Sequence, residues 1–251
     1  MPLSGSLPSF IACSLWSIIN TERREGVVPP NMCGRFTLTQ PTQAVAERFG
    51  VQFVLFEFAP RYNIAPSQPV AVILQNGERR LEACQWGLVP FWAKDPEIGN
   101  RLINARAETL AEKPAFKYSL TRRRCLIPAD GFYEWRKEGN RRVPMYIRRR
   151  DGGLFAFAGL WDEWQSPDGS PLRTCTIITT EPNALLAPIH HRMPAILKPE
   201  QEALWLDTSL RDPARLLQML QAYPGTELEA YPVSSRVNHP GNDDPLCIQP
   251  V

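Results

Sequence analysis

Four residues stand in otherwise apolar or aromatic runs and have side chains capable of covalent or proton-transfer chemistry: Cys33, Asn104, Glu134 and His190. Glu134 is the clearest, because it lies among three aromatic residues in Gly131-Phe132-Tyr133-Glu134-Trp135. Such surroundings raise the pKa of a carboxyl toward the neutral range, where it can transfer protons. The alternative is an ordinary strand glutamate that faces solvent.

Cys33 follows a methionine in Asn31-Met32-Cys33-Gly34-Arg35-Phe36. If the chain begins or is cut after Met32, the thiol and a free α-amine of Cys33 share one carbon atom. An α-amine has a pKa near ~8, against ~10.4 for lysine, so a useful fraction is unprotonated and nucleophilic at neutral pH. The chemistry of Cys33 therefore depends on where the active chain begins.

The other two candidates have ordinary alternatives. His190 and His191 are adjacent in Pro188-Ile189-His190-His191-Arg192-Met193-Pro194, and in an extended segment neighbouring side chains point to opposite faces, so that one histidine can face a site. A single histidine beside an arginine is, however, more often structural. Asn104 could equally be the N-cap of a helix.

Composition and charge are those of an ordinary globular protein of 251 residues, 43% hydrophobic and 22% charged. The net charge of +2 neither requires nor excludes nucleic acid, so an anion-binding face must come from local arginine clusters. The six cysteines are scattered without a Cys-x-x-Cys pair, which predicts reduced thiols in a cytosolic protein, buried in every case but Cys33, and no structural zinc site. No motif indicates a metal, nucleotide or flavin, and we expect no cofactor.

Residues 1–32 are interpreted as an N-terminal extension, either a misassigned start or a pro-segment that is removed. Their apolar run, residues 10–19, is too short to cross a bilayer and lacks the basic start of a signal peptide. We therefore expect a catalytic domain over residues 33–251, with no membrane association.

The elements that position these side chains are predicted from turns and periodicity. Runs 69–74 and 80–86 flank Asn76-Gly77, a strong hairpin signal. Further strands are expected at 34–38, 124–128, 131–135, 143–147, 154–161 and 174–180, helices at 41–49, 105–112, 200–206 and 213–220, and an irregular loop at 61–68. This pattern indicates an α+β fold, a single domain with a curved, mainly antiparallel, barrel-like β core and a few flanking helices.

Taken together, these features resemble the SRAP family, the SOS response-associated peptidases also called abasic site processing proteins. The resemblance runs from Met32 almost to the end of the chain. It is carried by Cys33-Gly34-Arg35-Phe36, Asn63-Ile64-Ala65-Pro66, Trp86-Gly87-Leu88, Asn104-Ala105-Arg106-Ala107-Glu108-Thr109, Cys125-Leu126-Ile127-Pro128-Ala129-Asp130-Gly131-Phe132-Tyr133-Glu134-Trp135, His190-His191-Arg192-Met193-Pro194 and Val233-Ser234-Ser235-Arg236-Val237-Asn238.

The resemblance implies a protein of the DNA damage (SOS) response that crosslinks covalently to abasic sites in single-stranded DNA through an N-terminal Cys33. The family's functional residues fall on Cys33, Asn104, Glu134 and His190, with His191 at the variable position of His-x-Arg-Met-Pro. We expect a cytoplasmic monomer that associates with the nucleoid when bound to DNA. Candidate DNA contacts are Arg35, Arg61, Arg106, Arg192 and Arg236, with Trp92 for base stacking; Trp86 and Phe91 are assigned to the core.

Two other functions stay open. The same residues could form a thiol peptidase that cuts its own chain before Cys33, which would explain a pro-segment. Alternatively, the protein could be a non-covalent single-stranded DNA binding module with a merely buried cysteine.

Overall fold

The computed structural model describes residues 33–251; the extension predicted over residues 1–32 lies outside the described residues. The strands are β1 Phe36–Leu38, β2 Phe53–Val54, β3 Arg61–Ile64, β4 Pro69–Asn76, β5 Glu78–Trp86, β6 Asn104–Arg106, β7 Arg124–Ala129, β8 Gly131–Glu138, β9 Arg141–Arg149, β10 Phe155–Gln165, β11 Pro171–Thr180, β12 Met193–Pro194, β13 Ile196–Leu197 and β14 Leu228–Pro232. The helices are α1 Thr42–Phe49, α2 Lys117–Arg122, α3 Pro199–Leu206 and α4 Pro213–Gln218.

Five strands of the larger sheet close into a barrel in the order β4, β5, β11, β10 and β7. Strand direction cannot alternate all the way around a ring with an odd number of strands, so one neighbouring pair must be parallel. That pair is β5 and β11, joined where Thr174 lies opposite Gln85, whereas the other four pairings are antiparallel. The predicted α+β fold with a curved, mainly antiparallel core is thereby confirmed.

The second sheet has the strand order β14-β9-β8-β1-β3 and packs against the barrel through aromatic side chains. The ring of Phe36 on β1 lies 5.3 Å from the ring of Trp86 on β5 and 5.7 Å from that of Phe157 on β10. All three are almost completely buried. Burial of such a side chain stabilises a fold by about 1.5–3 kcal/mol, so this contact holds β1 firmly against the barrel.

Most predicted elements are confirmed. The hairpin forms, with Gly77 at its tip in the left-handed region (φ 79°), and α1 ends at Gly50 (φ 61°). Two predictions are wrong. Residues 104–106 form a parallel strand beside β11 instead of opening a helix, and residues 61–64 form β3 instead of an irregular loop.

No membrane-spanning helix occurs within residues 33–251. The longest helices there, α1 and α3, have 8 residues each, whereas about 20 are needed to cross a bilayer.

Candidate active site

Three of the four predicted catalytic side chains meet at one buried point. The Cys33 thiol, the Glu134 carboxyl group and a ring nitrogen of His190 lie within 4.8 Å of one another. Cys33 and Glu134 are 4% and 1% exposed. Residues that are 56 or more positions apart in sequence therefore form one cluster, which we call the Cys-Glu-His cluster.

Strand pairing explains how Cys33 reaches Glu134. In the antiparallel pair of β1 and β8, Phe36 lies opposite Phe132, and the amide of Tyr133 donates to the carbonyl of Arg35 (3.0 Å). Continuing this register by two residues brings the start of the described chain alongside Glu134.

Alternation along β8 explains why Glu134 is buried, since successive side chains of a strand point to opposite faces. Phe132 packs in the main core, whereas Tyr133 packs in a second cluster with Tyr146 and donates from its hydroxyl to the carbonyl of Tyr62 (2.6 Å). Glu134 therefore shares the face of Phe132, and its carboxyl group points toward the interior instead of solvent.

His190 reaches the cluster from the segment between β11 and β12. Its Nδ1 lies 3.6 Å from Oε2 of Glu134 and 3.0 Å from the carbonyl oxygen of Arg192. The expectation that His190 and His191 point to opposite faces is wrong, because the two rings pack together with centroids 4.4 Å apart. The segment is irregular, so strand alternation does not apply, yet the side chain of His190 is only 8% exposed whereas His191 is exposed to solvent.

Burial favours the neutral form of every member of the cluster. It raises the pKa of Glu134 to about 8, raises the pKa of Cys33, with the nearby Glu134 adding to the effect, and lowers the pKa of His190. The contact between His190 and Glu134 is therefore a contact of neutral groups at neutral pH, not an ion pair. A carboxyl group with a pKa near neutrality can both donate and accept a proton.

Arg192 fixes the backbone at the cluster. Its guanidinium forms a two-pronged ion pair with Glu108, with both N–O distances 2.9 Å, and donates to the carbonyl of Thr179 (2.7 Å). The carbonyl oxygen of Arg192 in turn accepts from the Cys33 thiol (3.8 Å) and lies against His190. The sequence analysis does not identify Glu108 as a site residue. The sequence feature that could have indicated its role is its position in the motif Asn104–Thr109.

Asn104 lies on β6, opposite Ile177 of β11. Its Nδ2 donates to the carbonyl of Ile177 at 3.5 Å, and its Oδ1 is buried without a hydrogen-bond partner among residues 33–251. A buried acceptor left in this state is suited to receive a hydrogen bond from a ligand.

Four of the five candidate DNA-binding arginines already have partners within the protein. Arg35 donates to Asn63 and to the carbonyls of Val237 and Asn238, and Arg192 is held by Glu108. Arg61 pairs with Asp243, and Arg236 pairs with Asp244. The side chain of Arg106 is exposed and makes no hydrogen bond or ion pair within the described part of the chain, although its backbone carbonyl accepts from the hydroxyl group of Thr109 (3.5 Å).

Trp92 lies at the surface with 48% of its area exposed, and lines an open pocket of about 410 Å³ together with Lys94 and Arg101. Trp86 is buried as predicted, but the assignment of Phe91 to the core is wrong, because Phe91 is 49% exposed. Its ring lies 5.3 Å from that of Tyr118. This exposed aromatic pair was not identified from the sequence, since apolar type alone does not reveal which side of a loop faces solvent.

The fold and the cluster define a class of protein: a closed-barrel α+β domain with a buried cysteine beside a carboxyl group and an imidazole, three groups suited to nucleophilic and proton-transfer chemistry. Residues 32–240 match the family of SOS response associated peptidases (SRAP). The chain belongs to this family.

Relatives of known name agree with this assignment. The chain is 49% identical to abasic site processing protein YoqW of Bacillus subtilis over 222 residues, covering 87% of this chain and 99% of the relative. It is 32% identical to abasic site processing protein HMCES of Gallus gallus, covering 77% of this chain and 67% of the relative. A crystal structure of a protein from Bacteroides thetaiotaomicron superposes with a TM-score of 0.79 and 30% identity, covering 87% of this chain and all of that one.

Proposed function

We propose that this protein processes abasic sites by crosslinking covalently to single-stranded DNA through Cys33, in a form of the chain that begins at that residue. The observation that carries the proposal is the convergence of the Cys33 thiol, Glu134 and His190 within 4.8 Å. The names of the relatives supply the substrate class. The start of the family match at residue 32 agrees with an active chain that begins next to it.

The chemistry follows from an amine and a thiol on one residue. An abasic deoxyribose opens to an aldehyde, which the unprotonated α-amine of Cys33 attacks to give a carbinolamine. Loss of one water gives an imine; the thiol sulfur then adds to the imine carbon, and the thiol proton ends on nitrogen. The product is a five-membered thiazolidine, favoured because both nucleophiles belong to one residue. It masks the aldehyde and so protects the strand from β-elimination.

The neighbouring groups have distinct roles in this proposal. Glu134 gives a proton to the departing hydroxyl group of the carbinolamine and takes one back as the thiol adds, which its pKa of about 8 permits in both directions. His190 assists opening of the sugar ring. Asn104, with its unpartnered Oδ1, holds the amine or a sugar hydroxyl group.

DNA binding is proposed to rest first on Arg106 and Trp92, because both side chains are exposed and the guanidinium of Arg106 forms no ion pair within residues 33–251. Arginine contributes by phosphate contact and tryptophan by stacking on a base. Arg35, Arg61, Arg192 and Arg236 remain predicted contacts that would have to share their present partners with DNA. We propose a monomer that acts in the cytoplasm, where its thiols stay reduced.

A second function, self-processing, is favoured by the family description as a peptidase and by the position at which the match begins. While residue 32 is attached, the nitrogen of Cys33 is an amide and cannot form an imine. The thiol would attack the preceding carbonyl carbon, and the C–N bond would break to leave a thioester on sulfur and a free α-amine. Water would then hydrolyse the thioester, regenerate the thiol and release residues 1–32 as a carboxylic acid. Self-processing would thus prepare the protein for crosslinking.

The test is to mix purified protein with a single-stranded oligonucleotide that carries one abasic site and to separate the products under denaturing conditions. An adduct is expected with wild type and none with Cys33→Ala; Cys247→Ala, at a buried cysteine outside the cluster, is the matched control and retains the adduct. Intact mass tests self-processing, since residues 1–32 should persist in Cys33→Ala. Binding without any denaturation-resistant adduct would establish the non-covalent binding module instead.

A further inference from the structure

The Cys-Glu-His cluster also has the composition and size of a metal site. A thiol sulfur, a carboxylate oxygen and an imidazole nitrogen lie within 4.8 Å of one another, and the side chains of Glu134 and His190 are only 2% and 8% exposed. Ligands bound to a tetrahedral zinc ion at about 2.0–2.3 Å are roughly 3.5 Å apart, so no pair of the three donors needs to close by more than about 1 Å.

An unsatisfied atom points independently to a missing ligand. Oε1 of Glu134 is buried without a hydrogen-bond partner in the described part of the chain, whereas buried polar atoms are normally paired. A cation bound between Glu134 and the thiol would satisfy this oxygen. Its charge would also balance a thiolate and a carboxylate, so that the buried cluster is neutral as a whole.

The donor types select the metal. Thiolate and imidazole favour zinc and similar ions, whereas magnesium and calcium prefer sites built from oxygen alone. The backbone N–H of Arg192 lies 3.3 Å from Nδ1 of His190, and its carbonyl oxygen lies 3.0 Å away. When Nδ1 carries the ring proton and donates it to the carbonyl oxygen of Arg192, the lone pair on Nε2 is available to a metal, and Arg192 orients the ring as outer-shell groups do in metal sites.

We propose that Cys33, Glu134 and His190 bind Zn²⁺ or a divalent cation of similar ligand preference, and that the bound metal blocks reaction of Cys33 with an aldehyde. Binding releases the thiol and carboxyl protons to solvent. A chain that begins at Cys33 adds its α-amine as a fourth ligand, closing a five-membered N,S chelate, whereas a chain with residue 32 attached leaves that position to water. The block on crosslinking rests on the proposed function, but metal binding does not.

The direct test is titration of the metal-free protein with Co²⁺, a spectroscopic probe for zinc sites, followed by displacement with Zn²⁺. One equivalent should bind with a thiolate-to-cobalt charge-transfer band. Cys33→Ser should abolish the band, and Glu134→Gln and His190→Ala should each weaken binding at least about 100-fold. Circular dichroism checks that each variant is folded. Cys247→Ala should bind as wild type does, because its thiol lies outside the cluster.

Binding that survives Cys33→Ser, or absence of a one-equivalent site in a folded wild type, would overturn the proposal. Its second half is tested in the crosslinking assay: adduct formation should fall at least about tenfold when one equivalent of Zn²⁺ is added and return with EDTA. Crosslinking unaffected by bound Zn²⁺ would refute the block. Cobalt binding in a protein that forms no adduct even in EDTA would refute the proposed function while supporting the metal site.

Discussion

Replacing Glu134 by glutamine should stabilise the fold increasingly as the pH rises. Burial raises the pKa of Glu134 from 4.5 to about 8. Between these values the unfolded chain has released the carboxyl proton and the folded protein still holds it, so folding takes up one proton and stability falls as the pH rises. Glutamine is nearly isosteric and does not titrate, and therefore lacks this penalty.

The magnitude follows from the pH interval. From pH 5 to pH 7.5 the wild type should lose about 3 kcal/mol of unfolding free energy through this one group, at about 1.36 kcal/mol per pH unit. The side chain of Glu134 is only 2% exposed, so water screens little of the effect. The difference between variant and wild type should therefore grow by about 3 kcal/mol over this range, whatever its value at pH 5.

The assay is urea unfolding of both proteins at pH 5 and pH 7.5 in the presence of a chelator, after intact mass has shown that they share one amino terminus. Glu112→Gln, at an exposed residue, controls for loss of a surface charge. A difference between Glu134→Gln and wild type that stays constant within about 1 kcal/mol between the two pH values would refute the reasoning. Glu134 would then be ionised in the folded protein.

Further predictions separate binding, positioning and stability. Arg106→Gln should reduce the salt dependence of single-stranded DNA affinity by about 0.7 in the slope of log K against log salt, without changing the melting temperature; an unchanged slope would remove Arg106 from the interface. Arg35→Gln should destabilise the fold by about 3 kcal/mol in urea unfolding, because its hydrogen bonds to Asn63 and two carbonyls are lost; a loss of affinity alone would make Arg35 a DNA contact instead. Glu108→Gln should slow crosslinking about tenfold in single-turnover assays while DNA affinity holds, because Arg192 no longer fixes the carbonyl beside Cys33; an unchanged rate would exclude this positioning role.

Local patterns predicted most of the fold because short-range interactions dominate there. The hairpin around Gly77 needs one residue at positive φ, and α1 ends where Gly50 supplies another. The barrel strands β7 and β10 are apolar runs bounded by turn residues, which is a property of the sequence itself.

Long-range pairing accounts for the errors. Residues 104–106 have helix-forming neighbours, but parallel pairing with residues 177–179 of β11 determines their structure. Residues 61–64 likewise gain strand structure by pairing with β1, an interaction that turn formers on either side do not reveal.

The candidate site shows the same difference between what local sequence predicts and what long-range contacts determine. Residue type and apolar surroundings indicate Cys33, Glu134 and His190 one by one, whereas their meeting depends on the pairing of β1 with β8 and on the segment after β11. The two-pronged ion pair between Glu108 and Arg192 could not be predicted, because it joins residues 84 positions apart. For the same reason Arg192 was predicted as a DNA contact without regard to its ion pair.

The most direct test of the central claim is the mass of the crosslinked peptide after digestion with nuclease and trypsin. The account predicts the peptide Cys33-Gly34-Arg35 carrying a deoxyribose remnant less one water, which is the signature of a thiazolidine at a free α-amine. A remnant on a peptide that retains residues 25–32 would contradict it. So would an adduct formed without loss of water, since the thiol alone gives a hemithioacetal.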